Sequence, residues 1–174
     1  MKQGPLPKSF DARKACVKEL ELSGTVKASE LPRLANVVSC EDTTISASMR
    51  FWRDEQRRFV VSIDVAGDVG VRCERCLETM PLAASAKSTL MLCSSDEQAQ
   101  QCPNQYEPLV YTGEDLDLYE VIEEELLLAL PVAPMHEQKC IEAVLVPEAE
   151  PIVEDRKPNP FAVLANLTND STES

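Results

Sequence analysis

The sequence predicts an α+β domain, an antiparallel β-meander with one packed helix and a short C-terminal helix, and three observations carry that prediction. Apolar residues alternate over Ile45–Trp52, Phe59–Cys73 and Met80–Leu92, the period-2 pattern of strands with one buried face. Leu118, Ile122, Leu126 and Ala129 recur instead at helical spacing. Asn159-Pro160 is an N-cap followed by proline at the first helical position. The expected division is a domain over residues 1–140 and an acidic linker with a short helix over 141–174. Within the first, the meander runs from about 18 to 93 and the helix from 117 to 130.

Each element has a local reason. Leu20, Leu22 and Val26 alternate with Glu21 and Thr25, which gives a first strand. Ser29 stands where it caps a short helix carrying Leu31, Leu34 and Val38 inward. In the next strand Ile45, Ala47, Met49 and Phe51 share the core face, and a polar turn follows at Asp54–Arg57. Phe59, Val61, Ile63, Val65, Val69 and Val71 keep that parity to Cys73, with Gly67 and Gly70 as bend or bulge points. Met80, Leu82, Ala84, Ala86, Leu90 and Leu92 make the third run, and Pro81 places it at a sheet edge. Ser95 and Gln98 have capping-box form, and Tyr106–Tyr111 reads as a short strand. Beyond Asp117, Glu120, Glu123 and Glu124 fall opposite the apolar stripe, near the positive end of the dipole, until Pro131 ends the helix. The Glu123-Glu124-Glu125 run therefore reads as a solvated face. Residues 141–157 are acidic and aperiodic, and the last helix presents Phe161, Leu164 and Ala165 on one face, suited to docking on a partner.

Composition excludes several classes. A chain of 174 residues buries roughly 70% of its unfolded surface, so neither disulfides nor metal are required for folding. With 44% hydrophobic and 27% charged residues and a mean hydropathy of -0.20, it is neither a disordered nor a membrane chain. The apolar stretch Leu126–Met135 is too short to span a bilayer. The start, Met1-Lys-Gln-Gly-Pro-Leu-Pro-Lys8, lacks the apolar core of a secretory signal, so the expected compartment is the cytoplasm. Net charge is -13 but uneven: residues 1–90 hold 14 Lys and Arg against 12 Asp and Glu, and residues 91–174 hold 3 against 18. Repulsion disfavours polyanion binding by the whole molecule, yet leaves room for a basic face on the first half. Seven cysteines at irregular spacing, with no export signal, argue against a disulfide framework.

Cys73-Glu-Arg-Cys76 has metal-knuckle spacing at the tip between two long strands. A tetrahedral zinc needs two more ligands, and His136 and Cys140, four residues apart just past the helix end, are the candidates for them. Zinc is therefore the one possible cofactor. Thioredoxin-like redox chemistry is disfavoured, because it needs the first Cys at a helix N-terminus and here the flanks are strands. No Gly-rich phosphate loop occurs, and the single histidine stands in no nucleophile context, so an enzyme is not expected. By strand parity Arg50, Trp52, Arg58 and Arg72 share the outer face, forming a candidate RNA-binding patch with one stacking platform.

The order and spacing of Cys73-Glu-Arg-Cys76-Leu77, Asp115-Leu-Asp-Leu118, Glu123-Glu-Glu-Leu-Leu-Leu-Ala-Leu-Pro131 and Arg156-Lys-Pro-Asn-Pro-Phe-Ala-Val-Leu-Ala165 resemble the YceD family. These bacterial and plastid proteins are also called large ribosomal RNA subunit accumulation proteins. The resemblance covers nearly the whole chain and implies a non-catalytic role in synthesis, processing or stability of 23S ribosomal RNA and in building the large ribosomal subunit. It implies as partners 23S RNA or its precursor, or large-subunit assembly proteins, with no membrane and no small-molecule substrate. The acidic second half fits docking onto a basic ribosomal protein or assembly factor. Two other classes stay open: a zinc-stabilised protein adaptor without RNA contact, and an RNA-processing enzyme.

Overall fold

Strict alternation along three consecutive runs forces them into neighbouring strands, since each must bury one row of side chains and wet the other. The structure is a computed structural model in which residues 4–39, 43–111 and 115–141 are described. Its elements are β1 (Gly4–Pro5), β2 (Ser9–Phe10), α1 (Ala12–Lys18), β3 (Glu21–Lys27), α2 (Pro32–Ala35), β4 (Thr44–Arg53), β5 (Phe59–Arg72), β6 (Thr79–Cys93), α3 (Asp96–Gln100), β7 (Glu107–Val110), β8 (Leu116–Asp117) and α4 (Leu118–Ala129). Six strands form one sheet in the order β1-β3-β4-β5-β6-β7, and β2 pairs with β8. The ladder from β3 to β6 is antiparallel, while β1 and β7 join its edges in parallel. This is an α+β fold. Among the described residues no helix is long and apolar enough to cross a membrane.

The core lies on one face of the sheet. Ile45, Ala47, Met49 and Phe51 of β4 meet Val61, Ile63, Val65 and Val69 of β5, and Leu118, Ile122 and Leu126 of α4 cover them. Asp117 caps α4 by accepting from the N–H groups of Tyr119 and Glu120. Helix α1 lies outside the sequence prediction. Asp11 caps it through the Lys14 N–H, and only Ala12, Ala15 and Cys16 are buried, too small a stripe to give a clear period.

Two expectations about the meander change. Gly67 and Gly70 form no bulge, because β5 and β6 pair residue for residue from Val60↔Met91 to Arg72↔Thr79. Gly67 is instead a close-approach position: a Cβ there would collide with the side chain of Ile45. Pro81 lies within a strand that has neighbours on both sides, but β7 accompanies β6 only over Leu90–Cys93. At Pro81 itself the strand has one partner, so the missing N–H costs no ladder bond.

Two expectations about polar groups fail. Ser29 does not cap the short helix; it sits in a 3-10 turn (Ala28–Glu30), and the donors at the start of α2 are taken by a distant side chain. Glu123 Oε1 accepts the N–H of Arg33 at 2.6 Å and of Leu34 at 3.0 Å. The acidic run is therefore no solvated face. Glu123 and Glu125 are buried and only Glu124 reaches water, where it pairs with Arg33 at 3.6 Å. Burial pushes the Glu125 carboxyl up from its ordinary 4.5, partly offset by the nearby Ser88 hydroxyl and reinforced by Glu107 and Glu124. The expected linker and C-terminal helix, with Phe161, Leu164 and Ala165, lie outside the described residues.

Two stability measurements check this reading of the carboxylates. Glu123→Ala strands two buried donors and should cost about 3 kcal/mol in chemical denaturation, whereas Glu123→Gln keeps an acceptor and should cost less than half of that. For Glu125 the folded state holds its proton to higher pH than the unfolded chain does, so stability falls as pH rises from the unfolded value through the folded one. Glu125→Gln should accordingly raise the Tm at pH 7, and the gain should vanish below about pH 4.

Candidate functional site

The two long strands carry unlike groups to opposite ends of the sheet. At one end β5 passes into Cys73, and the chain turns through Cys76 before β6 begins. The Leu77 N–H donates to the Cys73 carbonyl at 2.9 Å, and the Cys73 N–H to the Glu78 carbonyl, also at 2.9 Å. Leu77 holds a left-handed conformation, φ 64, that closes the turn. The Arg75 N–H points at Cys73 Sγ from 3.4 Å, the amide-to-sulfur contact that stabilises a thiolate.

The segment after α4 folds back over this turn. The Glu74 N–H donates to the Pro134 carbonyl at 2.8 Å, and the Arg75 guanidinium to the His136 carbonyl at 2.8 Å. These clasps bring His136 Nδ1 to 3.4 Å from Cys76 Sγ, and Cys140 Sγ to 3.8 Å from Cys73 Sγ. All four donor atoms lie within 4.8 Å of one another. A tetrahedral zinc bonded to sulfur at about 2.3 Å sets ligand-to-ligand edges near 3.8 Å, so the donor set and its spacing fit the ion. Burial pushes the Cys73 thiol up, but hydrogen bonds from the backbone of Cys76, His136 and Arg75 outweigh it and bring the group down to about 5. Burial, with hydrogen bonding to Cys76 and Cys73, holds Cys140 up at about 11. Cys73 is thus drawn toward the thiolate while Cys140 is held as the thiol, and zinc held by this set would take all three cysteines as thiolates.

The other end of the sheet carries a cluster of arginines among carboxylates. Arg50 and Trp52 stand on the outer face of β4, Arg50 exposed and pairing with Glu21 at 3.5 Å, Trp52 half-buried. Arg58 faces the same way but is committed: it binds Asp54 at 2.6 Å and Gln56 at 2.6 Å, and lies 5.4 Å from the Tyr106 ring centre. Arg72 does not join them. It ends the fourteen-residue strand that begins just after Arg58, which puts it about 45 Å away, beside the cysteine turn. The structure therefore brings Arg50, Trp52 and Arg58 to one end and leaves Arg72 at the other.

Two hollows on the outer face involve residues that the sequence did not single out. A small one of about 310 Å³ is lined by Glu19, Arg50, Trp52, Arg53 and Ser62. Through Arg50 and Ser62 it opens into a groove of about 980 Å³ whose walls carry hydroxyl and amide side chains, among them Ser48, Thr89 and Asn104, together with the carboxylates of Glu21, Asp64 and Glu107 and the ammonium of Lys87. Arg53 escaped the parity argument because it ends its strand, where its guanidinium stacks 5.0 Å from the Phe59 ring centre. Glu19 gave no signal in the sequence, since its position depends on a left-handed backbone, φ 51, after α1.

Comparisons with known proteins agree on one family. The family model described as "Large ribosomal RNA subunit accumulation protein YceD" matches residues 61–168, which take in the cysteine turn, α4 and His136 and Cys140. A protein of Haemophilus influenzae named large ribosomal RNA subunit accumulation protein YceD is 35% identical over 176 residues, covering 96% of this chain and 98% of its own length. No solved structure matches the chain. With the family model spanning more than half of the sequence and a relative aligned across nearly all of it, the chain belongs to the YceD family of large ribosomal RNA subunit accumulation proteins.

Proposed function

We propose that this protein is a non-catalytic cytoplasmic factor that supports the synthesis, processing or stability of 23S ribosomal RNA, and through it the assembly of the large ribosomal subunit. The near-full-length similarity to the Haemophilus influenzae protein carries this reading. Within it, zinc held by Cys73, Cys76, His136 and Cys140 pins the segment after α4 to the turn between β5 and β6, a structural role suited to a site with four protein donors and no open position. RNA is met at the opposite end, by Arg50 and Trp52, with Arg58 bracing the turn through Asp54. Arg72 adds positive charge at the zinc end only. The apolar face of Phe161, Leu164 and Ala165 is assigned to a large-subunit assembly partner.

One observation favours a second reading, a zinc-stabilised adaptor that touches protein alone. Leu77, Val132, Met135 and Ile141 are all exposed, and three of them adjoin a cluster ligand in the chain. Such apolar side chains suit a protein partner better than a phosphate backbone.

Elemental analysis of protein prepared without chelator should find about one zinc per chain, and Cys73→Ser should lose it and lower the Tm by roughly 5–10 °C. Protein that contains no metal yet melts as the parent does would remove zinc from the account. In a deletion strain the intact gene should restore 23S RNA and large-subunit levels, while Arg50→Ala, Trp52→Leu should restore them poorly although the protein folds. The purified parent should bind single-stranded RNA with a log–log salt slope of about -0.7 per phosphate neutralised. Full rescue by the double variant together with unchanged RNA affinity would favour the adaptor.

A further inference from the structure

The small hollow beside Trp52 holds a particular set of groups. Trp52 offers a half-exposed aromatic face, Arg50 a guanidinium group, Ser62 a hydroxyl and Glu19 a carboxylate, while Arg53 lines the rim with its guanidinium turned to the Phe59 ring. Register explains how they meet: Arg50 is directly opposite Ser62 on β5 and opposite Glu21 on β3, and the Phe51 N–H binds the Leu20 carbonyl at 2.9 Å, which brings Glu19 alongside Trp52. The hollow then opens into the groove, where hydroxyl and amide groups stand beside Lys87 and the carboxylates of Glu21, Asp64 and Glu107.

Glu19 is the unusual member. It ends α1 in a left-handed conformation, φ 51 and ψ 49, which glycine or asparagine adopts more readily than a longer side chain. Its own N–H closes the helix onto the Ala15 and Cys16 carbonyls, work that a glycine would do with less strain. The exposed carboxylate makes none of those bonds, so stability does not call for it.

We infer that this hollow is a site for an unpaired guanine nucleotide, with the base stacked on Trp52, its Watson–Crick edge read by the Glu19 carboxylate and its phosphate held by Arg50. The chemistry singles out guanine. A carboxylate only accepts hydrogen bonds, and guanine alone among the four bases presents two adjacent donors, N1–H and N2–H, on that edge. Adenine and cytosine set an acceptor beside their amino group, and uracil flanks its one donor with two carbonyls. Unpaired RNA bases are read in this way, by stacking and by hydrogen bonds to the Watson–Crick edge. Arg50 is free to serve, because its pair with Glu21 is solvent-exposed and such pairs are weak. The groove continues the path for the flanking nucleotides, with Ser62 at the junction placed to meet a ribose hydroxyl.

The inference rests on the proposal that this protein contacts RNA, and its test separates the two. Trp52 is the only indole in the chain, so its fluorescence reports on this hollow directly. With the full-length protein, r(UUGUU) should quench Trp52 saturably and bind about tenfold more tightly than r(UUAUU). Glu19→Gln should bring the two within about threefold. Glu19→Gly should do the same while melting at or above the parent temperature, which separates recognition from folding. GMP should bind more weakly than r(UUGUU), because it lacks the groove contacts; equal affinity would assign the site to a free nucleotide and overturn its role in an RNA strand. Equal quenching by the two pentamers, or selectivity that survives Glu19→Gly, would overturn the guanine site. A protein that binds neither pentamer yet rescues the deletion strain would overturn the site and leave the ribosomal role standing.

Discussion

The pairing of β5 with β6 is the constraint on which the rest depends. Fourteen and fifteen residues long, these strands stay in one register from Val60↔Met91 to Arg72↔Thr79, where five or six residues per strand is usual in globular proteins. Without a bulge to bend them they form a ribbon of about 45 Å, and whatever stands at their ends is kept far apart. The cysteine turn closes one end and the arginine-rich turn of β4 and β5 the other. A one-residue slip would turn Val61, Ile63 and Val65 outward and break both ends together, so the hydrophobic pattern that fixes the register also fixes the geometry of both sites.

Helix α4 ties the small elements to that ribbon, and it does so with charge as well as with Leu118, Ile122 and Leu126. Helix α2 has four residues, too few to persist alone, and its first donors have no acceptor of their own. The Glu123 carboxylate takes two of them, and Arg33 turns back to Glu124. Buried carboxylates usually weaken a fold unless paired or hydrogen-bonded. Glu123 meets that condition through backbone donors. Glu125 does so only in part, which is why its proton is held more tightly.

The legible parts of the sequence were those where one physical signal acts alone. Alternation located β3 to β6, and Asp117 with Pro131 bracketed α4, because period, cap and terminator agree there. The four metal-type donors were also legible, since soft ligands are few and Cys73-Glu-Arg-Cys76 sits at a strand tip. The failures share a cause. Glu123, Glu125 and Ser29 were misjudged because a polar side chain's partner depends on tertiary distance; Arg33 stands 90 residues before Glu123. Arg72 was grouped with Arg58 because parity gives the face of a strand and says nothing about distance along it. Glu19 and α1 were invisible because a left-handed residue and a three-residue apolar stripe leave no periodic trace.

The acidic total of -13 says little about the arginine cluster, because screening makes local charges decide. At physiological ionic strength fields decay over about 8 Å, so what Arg50 presents is set by near neighbours such as Glu21 and Glu19. The total charge slows the long-range approach of any polyanion, and on the proposal that this end meets RNA, contact falls to Arg50 and Trp52. A surface of this kind gains little from long duplex, where many phosphates would meet a repelling molecule. It gains most from a short unpaired stretch, whose bases can leave their stack for Trp52 while few phosphates approach. On the proposed role, RNA still being assembled into a subunit would offer such stretches, and a basic protein partner would complement the acidic remainder of the chain.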